Sequence, residues 1–380
     1  MHFTRLVLEN WRNFKSVDVP LRRRMFIVGP NASGKSNLLD AFRFLRDIAD
    51  PQGGLARAVQ QPSRRGVSQL RSLFARKYPN VAVEVHAVLD EGADAWSYRL
   101  EFGQDNQQRP VVKREVVRFG TAVLLNRPDA DDVADPSRLS QTHLEQVNAN
   151  RGFRAVAEAL AQVRYLHLVP QLVREPELVA HRLRDPLGSD FLEQMASINS
   201  KTRRARLTRI CRALRVAVPQ LVELDVGRDA RGVPHLAGRY EHWRPNGAKQ
   251  SEEQFSDGTL RLLGLLWAFL DGKSPLLLEE PELSLHPGVV RQIPLMLARV
   301  SRPAGRQVLL STHSKDLLQD RGIDATEVLM LVPDKEGTQV IVGAADQQVR
   351  ALLEGGLPVA EAVLPRTTPK AADELVLSWD

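Results

Sequence analysis

Residues 29–36 read GPNASGKS, which fits the spacing glycine, four residues, glycine, lysine, serine in full. Gly29 and Gly34 let the chain wrap closely, so that backbone N–H groups and the positive end of a following helix can surround a β-phosphate. Lys35 adds a point charge for the β and γ oxygens, and the Ser36 hydroxyl is suited to Mg²⁺. The candidate binding run is Gly29, Pro30, Asn31, Ala32, Ser33, Gly34, Lys35, Ser36 and Asn37. Alone, it indicates a nucleotide and says nothing of what happens to it.

Three later segments carry further chemistry. Leu276 to Pro287 reads LLLEEPELSLHP, an apolar run ending in two acids. Glu279 is placed to hold Mg²⁺ through water, and Glu280 to orient or polarise an attacking water. Acids also end strands and cap helices for structural reasons, but two in succession followed by Pro-Glu favour the chemical reading. Val308 to Ser314 reads VLLSTHS and delivers His313 at a strand tip, within reach of a γ-phosphate. A strand-end histidine is often structural; the neighbouring acid pair tips the choice. Phe255 to Thr259 reads FSDGT and leads into an apolar helix. Ser256 and the Gly258 backbone would present donors at that helix's positive end, although an ordinary N-cap would look the same.

The elements that position these groups follow from periodicity. Met25 to Val28 is a short buried strand running into the glycine loop, and Leu38, Leu39, Phe42 and Leu45 recur at helical spacing. Residues 3–8 and 17–21 read as strands. Residues 81–89 and 96–102 alternate with period two around a glycine-containing turn, and strands near 111–119 and 121–125 extend them into an antiparallel meander. Residues 127–140, with Pro128, Pro136 and several aspartates, read as a mobile loop. Next come a helix at 153–162, a strand at 163–169, helices over 190–217 broken at Asn199–Ser200, and strands at 220–226 and 235–243. From 258 onward helices alternate with short unbroken apolar strands at 276–278, 308–310 and 328–332, which indicates a parallel sheet covered on both faces.

Composition sets the frame. Of 380 residues 43% are apolar and 26% charged, an ordinary globular balance. The longest strongly apolar run, Leu262 to Leu270, is nine residues, about half of what a membrane span needs. No membrane partner is expected, and a charged opening segment does not resemble a signal peptide. Cys211 is the only cysteine, which excludes an intrachain disulfide and fits a cytoplasmic location. Lys plus Arg exceed Asp plus Glu by 52 to 46; so small a surplus permits nucleic-acid binding without demanding it.

Together these motifs resemble the ABC-class ATPases of the RecF/SMC/OLD type, in the AAA-like subgroup found as stand-alone bacterial proteins. LVLENWRN from Leu6 to Asn13, with Phe14, is similar to that group's opening block. GPNASGKSNLLDAFRFL resembles its Walker A segment, FSDGT the signature, EEPELSLHP the Walker B and D-loop, and STHS the switch-histidine loop. The resemblance implies an α/β fold: a P-loop NTPase, ABC-type head with a mixed sheet, an antiparallel N-terminal β-subdomain and an inserted helical lobe. It places the N-terminal half of the ATPase lobe at 1–125, the inserted lobe at 126–254, the C-terminal half at 255–345, and a helix and tail at 346–380. It implies ATP and Mg²⁺ as cofactors and head-to-tail homodimers. Lys35, Ser36, Glu279, Glu280 and His313 would act in cis, with Ser256 and Gly258 reaching the partner's nucleotide. Several departures stand out. Glu279 replaces the commoner Asp, Asp257 puts an acid where glycine is usual, and only Gln171 offers itself as a Q-loop residue. No long coiled-coil insertion interrupts the motifs, and no nuclease domain is expected in the stretch after residue 350.

Two basic runs bear on partners. Lys201 to Arg215, KTRRARLTRICRALR, has seven cations and no acid, and a stripe of Leu207, Ile210, Cys211 and Leu214 would leave Arg203, Arg204, Arg206 and Arg209 outside for nucleic acid. A solvated or ion-paired face would read the same. Arg64, Arg65, Arg71, Arg76 and Lys77 form the second cluster. Trp243 is expected to pack between elements. Two functions fit: an ATPase coupled to nucleic acid in DNA repair or maintenance, and a regulatory ATPase holding an effector protein of an antiviral or toxin system.

Overall fold

A computed structural model describes residues 1–76, 78–89, 95–176, 185, 187–243 and 248–368. Lys77, the turn at 90–94 and the tail beyond 368 lie outside the described residues. The strands, in chain order, are β1 (His2–Trp11), β2 (Phe14–Pro20), β3 (Arg24–Val28), β4 (Val81–Val88), β5 (Trp96–Gln104), β6 (Pro110–Phe119) and β7 (Ala122–Arg127). They continue with β8 (Arg164–Leu166), β9 (Leu221–Arg228), β10 (Pro234–Tyr240), β11 (Ala248–Ser251), β12 (Leu276–Glu279), β13 (Val308–Thr312), β14 (Val328–Asp334) and β15 (Gly337–Val342).

An antiparallel sheet in the order β2-β1-β4-β5-β6-β7 contains the expected meander. A mixed sheet in the order β15-β14-β3-β13-β12-β8 is parallel except at its β14–β15 edge. The Lys35–Ala49 helix lies between the two. Its Leu38, Phe42 and Leu45 share one core with Phe3, Leu6 and Trp11 from the antiparallel sheet and with Met25, Ile27, Leu277 and Leu309 from the mixed sheet. The alternate residues Phe26, Val28, Leu276, Leu278 and Leu310 face a second core on the other side. Burial on both faces explains why these strands read as unbroken apolar runs.

The middle of the chain serves two bodies. β8 joins the mixed sheet beside β12, with Tyr165 level with Leu277. Residues before β8, through Leu144, Phe153, Val156 and Leu160, join the first core, and those from Leu168 onward build a lobe in which the Phe191–Ser197 and Ser200–Leu214 helices pack on a small antiparallel sheet ordered β11-β10-β9. Asn199 caps the second helix by accepting from the Lys201 amide, which accounts for the break foreseen there. The Asp257–Leu270 helix contributes Leu265 and Phe269 to the second core, and Leu260, Leu262, Leu263 and Trp267 to the lobe.

Residues 127–140 are not the loop that their proline and aspartate content suggested. Arg127 is fully buried and donates to Glu115 and Asp132, while Asp129 and Asp132 close a capping box around the Ala130–Ala134 helix. Trp243 does not pack between elements either. It is 81% exposed and lies against His242. Among the described residues, no helix is long and apolar enough to cross a membrane.

Candidate active site

The glycine loop leaves β3 at the carboxyl edge of the mixed sheet and enters the Lys35–Ala49 helix through Gly34, whose φ of 97° lies in the left-handed region. An added Cβ there would also stand 2.2 Å from the Asn13 side chain. Asn13 is the outer support of the loop. It donates to the Ser33 carbonyl at 2.8 Å and accepts from Asn37 Nδ2 at 2.7 Å, and Trp11 donates to the Asn37 carbonyl. The helix start has neither a side-chain cap nor an acidic residue in its first turn. Its first amides therefore point outward with no intrahelical partner. Ser33 Oγ is buried without a partner, an orphan that a phosphate oxygen would satisfy. The loop is built for a polyanion.

Lys35 reaches back over this loop. Its ammonium donates to the carbonyls of Gly29 at 3.0 Å and Pro30 at 3.2 Å, and it lies 3.6 Å from Glu280 Oε1. Glu280 meets His313 Nδ1 at 3.1 Å. Its backbone is held at a φ of 42° by hydrogen bonds from its N–H to Ser311 O and Oγ. A non-glycine residue in that region is strained, and such strain clusters at functional sites. Thr312 and Glu282 brace the turn beneath, where burial raises the Glu282 carboxyl above its ordinary range.

Glu279 sits beside Glu280 with different partners. Oε1 accepts from the Ser36 hydroxyl and Oε2 from the Tyr165 phenol. Burial, and then the Glu279 charge, push the Tyr165 pKa well above that of a free phenol, so its O–H stays protonated as a donor. Arg43 stacks over the Tyr165 ring, 4.3 Å from its centroid. No group of three or more His, Cys, Asp or Glu side chains that could hold a metal occurs among the described residues. A cation at Ser36 and Glu279 would draw its other ligands from phosphate and water, as Mg²⁺ commonly does.

Ser256 and Gly258 lie elsewhere. Ser256 Oγ caps its own helix by accepting from the Thr259 amide at 3.2 Å. Gly258 packs so closely on the turn after the acid pair that an added Cβ would stand 2.6 Å from the Ser284 carbonyl. Among the described residues, no hydrogen bond joins residues 256–259 to residues 29–37. Asp257 does not point bare at a phosphate. Arg174 pairs with it at 2.5 Å and also donates to the Phe255 carbonyl. Gln171, the Q-loop candidate, also reaches Asp257, at 3.4 Å.

The basic clusters shrink on folding. Arg64 is buried between Asp40 and Asp47, at 2.8 Å from each. Burial opposes ionisation of Asp40, but Arg64, Arg43 and Arg12 outweigh it and hold that carboxyl below its ordinary range. Arg76 pairs with Glu336, and Arg65 and Arg71 remain exposed. On the basic helix, Arg206 is committed to Asp271 and the Trp267 ring, and Arg203 to the Ala196 and Ile198 carbonyls. Arg204 and Arg209 stay exposed, with Lys201 and Arg212 beside them. Asn13, Tyr165, Arg43 and Arg174 are not among the site residues that the sequence singles out; Asn13 lies in the LVLENWRN block and Arg43 in the segment that follows the phosphate loop, and Tyr165 and Arg174 carry no signal.

A family model described as "AAA domain, putative AbiEii toxin, Type IV TA system" matches residues 24–320. No curated protein matches the chain. Among solved structures, an Smc head bound to the C-winged helix domain of ScpA aligns with a TM-score of 0.56 at 14% identity, over 90% of this chain and 98% of that one. An Smc head domain with an extended coiled coil, bound to the C-terminal domain of ScpA derived from Pyrococcus furiosus, gives 0.51 at 13% identity, over 90% of this chain and 96% of that one. These two likenesses concern the fold. The family match runs from β3 past His313, and the chain thus belongs to this AAA-domain family: it is a P-loop ATPase whose fold is similar to that of the Smc heads.

Proposed function

We propose that two copies of the chain close head-to-tail around two ATP molecules, hydrolyse them with Mg²⁺, and reopen. The observation that carries this reading is the division of the chemistry within one chain. Lys35, Ser36, Glu279, Glu280 and His313 gather at one edge, whereas among the described residues Ser256 and Gly258 make no hydrogen bond to the phosphate loop. Donors at a helix start bind a γ-phosphate and have little to offer ADP, so nucleotide state sets the state of the pair. The Arg174 pair removes the one electrostatic objection, the acid in the signature.

In this scheme Lys35 exchanges its Gly29 and Pro30 carbonyls for phosphate oxygens. Glu280, released from Lys35, keeps His313 and takes a proton from, or orients, the attacking water. Ser36 and Glu279 hold the cation, which when bound neutralises developing charge on the phosphate oxygens. Mixing two inactive variants tests the shared site. Lys35→Ala and Ser256→Arg should each lack ATPase activity, and a mixture should regain part of it through mixed pairs with one intact site. A mixture that stays inactive would count against closure in trans.

The working partner of the closed pair is nucleic acid, met by the exposed cations Lys201, Arg204, Arg209 and Arg212 on an acid-free helix. A second reading, favoured by the family's description, is control of an effector protein in a toxin-type system. Duplex DNA added to the ATPase across a salt series separates them. Stimulation that fades steeply with salt supports the first, and a rate and association state indifferent to nucleic acid leave the second.

A further inference from the structure

Glu279 has its two oxygens committed in different directions, Oε1 to Ser36 and Oε2 to Tyr165. Tyr165 is clamped in place. Its strand β8 is paired in parallel register with β12, which carries Glu279. Arg43, on the phosphate-loop helix, covers its ring and is itself held 3.5 Å from Asp40. An aspartate at position 279 would be shorter by one carbon–carbon bond, about 1.5 Å, and would not bridge the serine and the phenol together.

We propose that Tyr165 is a positioning residue for the metal-holding carboxylate, fixing the Glu279 side chain so that Oε1 faces Ser36, the residue that would share the cation with it. This rests on the reading of Ser36 and Glu279 as the Mg²⁺ pair. It also gives a reason for glutamate here: the longer arm serves two partners. Hydrogen-bonded neighbours of a metal ligand set its orientation, and losing one commonly weakens metal affinity about 10- to 100-fold.

Tyr165→Phe keeps the ring on Arg43 and removes only the hydroxyl. Manganese is the probe, its binding to ATP-loaded protein followed by electron paramagnetic resonance. Tyr165→Phe should weaken Mn²⁺ binding by about 10-fold or more, while ATP binding in a chelator and the melting temperature without metal stay at wild-type values. In a Glu279→Asp background the same change should add nothing, since the bridge is already broken. Wild-type Mn²⁺ affinity in Tyr165→Phe, or an equal loss in the Glu279→Asp background, would overturn the proposal. Glu279→Ala serves as the control: if it leaves Mn²⁺ binding intact, the metal pair itself is wrong, and the fault lies there and not with Tyr165.

Discussion

Replacing Glu280 by glutamine keeps the side chain's shape and removes its charge, and two opposite effects follow. Glu280 Oε1 stands 3.6 Å from the Lys35 ammonium and 3.1 Å from His313 Nδ1. At an effective dielectric of about 20, unit charges this close attract by about 4–5 kcal/mol gross. Rehydration of the two groups offsets much of that, leaving on the order of 1–2 kcal/mol that ATP must displace to recruit Lys35. Glu280→Gln should thus bind ATP about 5- to 30-fold more tightly. Turnover moves the other way. Loss of a general base commonly lowers the rate about 10²- to 10⁴-fold, or about 3–5 kcal/mol of barrier. Phosphate release, equilibrium ATP binding and light scattering on one preparation read all three quantities. The variant should bind tightly, turn over slowly and accumulate as the paired form with ATP but not with ADP. A Glu280→Gln protein that releases phosphate at the wild-type rate would refute the assignment of the base.

Other outcomes follow from the same geometry. Arg174→Ala should expose Asp257 at the signature and weaken ATP-dependent pairing by about 1 kcal/mol, roughly fivefold, with Asp257→Asn restoring it; sedimentation across a concentration series reads this. Arg64→Ala leaves Asp40 and Asp47 without their shared buried cation and should cost about 3–5 kcal/mol in denaturant unfolding. Arg127 holds the Asp132 carboxyl at about 2. A carboxyl depressed by folding contributes stability in full above its unfolded value near 4, and that stability drains away as pH falls toward 2, here by about 2 kcal/mol. Thermal melts from pH 5 downward should show the loss, and Asp132→Asn should flatten it.

What could be foreseen depended on whether the chemistry was contiguous. The phosphate loop, the acid pair and His313 each sit within one short stretch at the end of an apolar strand, so type and spacing suffice to find them. Tyr165 escapes because β8 is three residues long and its partner lies 114 positions away. Arg64 looks like part of a solvated basic run until Asp40 and Asp47, seven apart and so on one side of a helix, are seen to enclose it. β11 and β15 were missed since neither AKQS nor GTQVIV combines length with clear alternation. The segment 127–140 misled because proline and aspartate mark turns and helix caps alike, and only the buried Arg127 decides between them.

Gly258 rests against the Ser284 carbonyl with no room for a side chain. On the proposed scheme, one backbone thus touches another between the helix end that would meet a neighbour's nucleotide and the turn that follows the acid pair. In the proposed two-fold pair each subunit would act as a stiff lever between two reactions. Firing at one nucleotide then disturbs the grip on its twin, and turnover should rise with ATP more steeply than a hyperbola.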